Sequence, residues 1–114
     1  GLWGRGRRWA DGHPHSTAVG TAVPPNSASC SRQAQGDEWD FAASVSSYHQ
    51  GGAHALMADG AVRFITDSID TGNSASAPVS ANAGVYLPAG TKSPYGLWGA
   101  LGSIAAKETL TLAD

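Results

Sequence analysis

The sequence predicts a mainly β fold: a small antiparallel sheet with long loops and little helix. Three observations predict it. Asp59-Gly60 sits between two short apolar runs within residues 53–65, the arrangement of a tight hairpin turn. Charged residues make up only 14% of the chain while Gly, Ser, Ala and Thr abound, which argues against a long helix or a coiled coil. Thr109-Leu110-Thr111-Leu112 alternates with the period of a final strand, both leucines on one face.

The hairpin is the centre of the expected sheet. In a two-residue type I′ turn both central residues need positive φ, which Gly60 takes at no steric cost and Asp59 tolerates better than most residues. Such a turn pairs Ala58 with Ala61, Met57 with Val62, Leu56 with Arg63 and Ala55 with Phe64. Met57, Val62, Ala55 and Phe64 then share the core face, because side chains alternate along a strand. Leu56, His54 and Ile65 fall on the other face, with Arg63 reaching to solvent.

Taken in order, residues 1–23 are expected to form a basic, aromatic arm with a β-prone end at Thr17–Val23. Pro24-Pro25 stops that run, since proline supplies no ladder N–H. Residues 24–114 follow as a single β-rich head. Ser27–Gly36 reads as a polar loop around Cys30, and Glu38–Val45 as a strand. Thr66–Asp70 has the composition of a capped turn, and residues 71–84, low in complexity, that of a flexible loop. Tyr95–Gly102 holds too many glycines to predict a helix.

At 114 residues the chain is one small domain with a modest core. Its net charge of −2 hides an asymmetry. Arg5, Arg7 and Arg8 place three positive charges in the first eight residues, and the rest carries four Lys/Arg against nine Asp/Glu. A basic arm on an acidic body suits self-association, the arm of one copy finding the body of the next. Three arginines on an otherwise acidic protein make a poor phosphate track, so nucleic acid is not an expected partner. No apolar run approaches the roughly 18 residues of a membrane span. The opening at Gly1, without an initiator Met, suggests a processed or truncated chain. Cys30 is the sole cysteine, so neither an internal disulfide framework nor a Cys-rich zinc site is expected.

Four segments in order carry a resemblance. They are Trp9-Ala10-Asp11-Gly12, then Val23-Pro24-Pro25-Asn26-Ser27 with Cys30 just after. Next comes His49 with Gly51-Gly52, ten positions before Asp59-Gly60, and finally Tyr95–Gly102 with Glu108 beyond. Together they resemble a family of prepilin-like secreted proteins of unknown function that carry a His-x9-Asp-Gly signature. Members of that family usually begin with a pilin-like hydrophobic helix and end in a β-rich head, and this chain looks like the head alone. Ala106-Lys107 stands where the family tends to have Gly-Gly. The resemblance implies a surface or extracellular β domain and no particular reaction.

Candidate chemistry is sparse. His49 and Asp59 flank the first hairpin strand, and nine extended residues separate them by roughly 30 Å. His49, Gly51, Gly52, Asp59 and Gly60 are therefore read as a structural motif. His13-Pro14-His15 offers two imidazoles that could share a cation, with Asp11, His49 or His54 completing a zinc site. The preferred reading of His13 and His15 is an exposed turn, with no metal and no cofactor. A Cys30–His49–Asp triad cannot be inferred from mere presence, and no glycine-rich loop precedes a helix for nucleotide. No catalytic residue is assigned. Of the tryptophans at 3, 9, 39 and 98, Trp39 and Trp98 suit core filling, and Trp3 and Trp9 suit burial against a neighbouring copy.

The expected function is a non-enzymatic structural subunit at or outside the cell surface. It would self-associate into a pilus-like filament by arm or strand exchange, with Trp3, Arg5, Arg7, Arg8, Trp9, Val19 and Val23 engaging a neighbour. The alternative is a surface module that binds glycan or another polymer through exposed tryptophans.

Overall fold

The computed structural model describes residues 10, 18–31, 41–80 and 84–103. Within them the architecture is two small antiparallel sheets, long hydrogen-bonded loops and one short helix. Strand β1 (Cys30–Ser31) pairs with β2 (Phe41–Ala42), and β3 (Gly52–Leu56) pairs with β4 (Val62–Thr66). Helix α1 spans Gly96–Leu101. The mainly β expectation therefore holds.

The hairpin forms where Asp59-Gly60 requires it, with a different turn and register. The observed partners are Gly52 with Thr66, Ala53 with Ile65, His54 with Phe64, Ala55 with Arg63, and Leu56 with Val62. The Met57 amide donates to the Ala61 carbonyl at 2.8 Å, and the Gly60 amide to the Met57 carbonyl at 3.0 Å. The loop is thus three residues long, Ala58-Asp59-Gly60. Gly60 has φ 88°, whereas Asp59 is not among the residues of positive φ, so the turn is not type I′. The cause is local: the Asp59 carboxylate accepts from the Ala61 amide at 2.9 Å, an Asx-type bond that needs no left-handed aspartate. A turn followed by a left-handed glycine is the next hairpin solution after the two-residue loop.

One residue of register exchanges the two sides of β4 and leaves those of β3 as expected. Ala53, Ala55, Arg63 and Ile65 point inward, with Ala53 and Ile65 fully buried. Val62 and Phe64, expected in the core, lie outside with His54 and Leu56.

Other expectations also change. Ser27–Gly36 is not a loop throughout, since Cys30 and Ser31 form β1. Only Phe41 and Ala42 of the expected Glu38–Val45 strand are strand among the described residues. Residues 18–23 form no strand, although the Gly20 amide donates to the Ala43 carbonyl at 2.8 Å. Tyr95–Gly102, whose glycines left no helix predicted there, supplies α1. The final strand over Thr109–Leu112 lies outside the described residues.

Helix α1 forms despite its glycines because a distant residue satisfies its first amides. The Asp70 carbonyl accepts from Trp98 N at 2.9 Å, and Asp70 Oδ2 from Leu97 N at 3.4 Å. Those amides lie among the four that a helix start leaves without an internal partner. Asp70 Oδ1 also accepts from the Gly72 amide at 2.8 Å, which fixes the carboxylate. The residues 73–80 are tied back as well: the Asn73 amide donates to the Pro94 carbonyl and the Ser80 amide to the Leu87 carbonyl, both at 2.9 Å.

Among the described residues the buried apolar side chains are Ala43, Ala53, Ile65, Trp98 and Ala100, and Ser44 is buried too. The indole of Trp98 donates to the Val23 carbonyl at 3.0 Å, so the buried N–H has its partner and the last residue of the expected arm is pinned to α1. Ser44 is satisfied too, its hydroxyl donating to the Ser27 carbonyl at 2.7 Å and its amide to Ser29 Oγ at 3.1 Å.

Candidate functional site

Two groups of residues stand out, one on each side of the hairpin base. The first is a polar junction organised by Asn26. Its backbone has φ 58°, the left-handed region that asparagine tolerates, and its amide donates to the Val45 carbonyl at 2.8 Å. Its side-chain Nδ2 donates to Asp67 Oδ1 at 2.8 Å and to the Gly52 carbonyl at 3.4 Å. Its Oδ1 accepts from the Ser47 amide at 2.8 Å. The Ser47 hydroxyl donates to the Gly52 carbonyl at 2.8 Å and accepts from the His49 amide at 3.1 Å. The Asp67 amide closes the ring on the Gly51 carbonyl at 2.9 Å.

This junction explains the Gly51-Gly52 pair. A Cβ on Gly52 would lie 2.2 Å from the Ile65 carbonyl oxygen and 2.9 Å from the edge of the Phe64 ring. Neither the backbone oxygen nor the packed ring has room for it. The sequence singled out Val23–Ser27 and the glycine pair as separate segments; the fold brings them together. No hydrogen-bonded nucleophile–base pair appears in this set of bonds, and its chemistry is that of a clasp.

The second group is the outward face of β3 and β4. Leu56 is 74% exposed, Val62 65% and Phe64 43%, and His54 lies exposed beside them. The chain reverses through Gly51 and carries His49 back over this face. The His49 and His54 rings are 5.4 Å apart between centroids at an interplanar angle of 85°, and His54 meets Phe64 at 5.0 Å and 65°. Tyr48, next in sequence to His49, is fully exposed. Asp59 is at the far end of the hairpin from His49, on the exposed turn.

The remaining candidates separate cleanly. Trp3, Arg5, Arg7, Arg8, Trp9, His13, His15 and Trp39 lie outside the described residues. Val19 is exposed, and Val23 is half-buried with its carbonyl on Trp98. Among the described residues no three His, Cys, Asp or Glu side chains gather to hold a metal ion. No helix among them is long and apolar enough to cross a membrane. Burial raises the Tyr95 phenol above the ordinary 10.0, and its hydroxyl donates to the Ser76 carbonyl at 2.9 Å.

The sequence reading missed the outward apolar strip, because it assigned Val62 and Phe64 to the core. It also missed Asn26 and Asp70 as organisers. The available signal for Asn26 was an asparagine directly after two prolines, where a left-handed turn residue is favoured.

With the geometry in hand, comparison with known proteins adds one finding. Residues 3–72 match the family model described as "Protein of unknown function (DUF1559)", which covers more than half of the chain. The match takes in three of the four motif segments and ends before Tyr95–Gly102. No curated protein and no solved structure matches.

Proposed function

Starting from a chain that belongs to the DUF1559 family of proteins of unknown function, we propose that it is a non-enzymatic structural subunit that self-associates outside the cell or on its surface. The observation that carries this reading is the outward hairpin face. Leu56, Val62 and Phe64 form an exposed apolar strip on a hairpin whose opposite face is buried at Ala53 and Ile65. Large apolar groups left in water next to one another favour a covering surface at about 25 cal/mol for each Å² removed from solvent.

The covering surface we assign is the arm of a neighbouring copy. Its Trp3 and Trp9 would lie on the strip, and Arg5, Arg7 and Arg8 would meet the acidic remainder of the head. The β3–β4 hairpin has no third strand among the described residues, so an extended arm segment can also add to its edge through main-chain hydrogen bonds. Repetition of that head-to-tail contact, in which the arm of each copy occupies the next, produces an open filament. The resemblance to prepilin-like secreted proteins supports a pilus-like setting.

The test is removal of residues 1–17. Residues 18–23 stay, because Gly20 and Val23 bond to Ala43 and Trp98 of the head. The truncated chain should sediment as a monomer under conditions in which the full chain forms larger particles. Particles of unchanged size and appearance by electron microscopy would overturn the reading.

A further inference from the structure

The His49–His54 pair has a geometry that packing alone does not require. The Gly51 turn, at φ 81°, folds the chain back so that two imidazoles five residues apart meet on an exposed face. The backbone before the turn is fixed, since the His49 amide donates to Ser47 Oγ at 3.1 Å and Ser47 is itself bonded to Gly52. His54 sits within a strand and rests against Phe64 at 5.0 Å between centroids. Both histidines are therefore presented from anchored backbone, and both are open to solvent.

We propose that His49 and His54 together bind a divalent transition cation of the imidazole-preferring class, zinc foremost, as two adjacent ligands with water in the remaining positions. A zinc–nitrogen bond of about 2.0–2.1 Å places the metal roughly 3.2 Å from each ring centre, and a tetrahedral angle between two such bonds separates the centres by about 5 Å. The observed separation is 5.4 Å. The perpendicular ring planes are no obstacle, because each ring turns freely about its own metal–nitrogen bond. Both side chains are exposed, and binding requires them to rotate so that one nitrogen of each meets the metal. Neutral imidazole is the donor that suits zinc, copper and nickel, whereas calcium and magnesium prefer oxygen. The two-histidine site calls on neither self-association nor His13 and His15.

Zinc titration of the full chain, read by calorimetry and by the ring-proton resonances of the histidines, tests the proposal. One zinc should bind per chain at this site, shifting the resonances of His49 and His54 together. His49→Ala and His54→Ala should each weaken that binding by about tenfold or more, while a His13→Ala/His15→Ala double variant retains it. Both positions are exposed, so circular dichroism of the variants should match the parent. The proposal is overturned if zinc leaves the His49 and His54 resonances unmoved. It is equally overturned if binding survives both single replacements unchanged.

Discussion

Along one hairpin, the residues facing inward and those facing outward are treated in opposite ways. The inward pair Ala53 and Ile65 is sealed from water, each 1% exposed. The outward pair Leu56 and Val62, on the same two strands, is mostly exposed despite being as apolar. Hydrophobicity therefore does not decide which face is buried here; the register and the clasp do. Asn26, Ser47 and Asp67 hold the hairpin base so that the Ala53–Ile65 side meets the core. On β3 the inward residues are small, Ala53 and Ala55, while Leu56, Val62 and Phe64 are left on the outer side, available to another surface.

The largest way to break this contrast is at the base of the hairpin. Gly52→Ala forces a Cβ against the Ile65 carbonyl and the Phe64 ring, and should destabilise the fold by about 3 kcal/mol as an overpacking change. Chemical denaturation reads the loss directly. A nearly neutral result would mean that the hairpin base shifts with little cost, and that the clasp does not set the register.

A smaller effect is expected where the loops are fastened to α1. Tyr95→Phe removes the hydroxyl bond to the Ser76 carbonyl and should cost about 1 kcal/mol near neutral pH. The pH dependence has a definite sign. Burial raises the Tyr95 pKa in the folded state above its ordinary 10.0, so the folded chain holds the proton more tightly than the unfolded one. The associated stability is fully present below the unfolded value. It is lost as pH rises from about 10 through the raised folded value. Alkaline melting curves of the parent should therefore fall more steeply than those of Tyr95→Phe, and parallel curves would show that the phenol is not desolvated.

The hairpin itself was legible from Asp59-Gly60, because few residue pairs reverse a chain so tightly. Its register was not. The choice between a two-residue and a three-residue loop goes with one side-chain bond, from Ala61 N to Asp59 Oδ1, and the extra loop residue moves every β4 side chain to the opposite face while β3 keeps its expected sides. Strands β1 and β2, two residues each, are too short to leave a periodic pattern. Helix α1 was hidden for another reason: its glycines speak against helix, and the acceptor for its first amides, Asp70, lies 27 residues before Leu97. At the candidate site, the sequence supplied His49, Gly51 and Gly52 as a group and placed His49 and Asp59 at opposite strand ends. The neighbourhood of His49 and His54 followed only from the turn between them.

The outward face has the smallest expected effect on stability and the largest on assembly, so it bears most directly on the proposed role. The double replacement Leu56→Ser with Val62→Thr leaves the inner face untouched and should change folding stability by only about 0.5 kcal/mol per site, as exposed positions do. Sedimentation velocity of the full chain and of this variant, at matched concentrations, is the decisive comparison. A covering role for the face predicts larger species in the parent that vanish in the variant. Identical distributions of larger species in the two, or a parent that stays monomeric throughout, would contradict it.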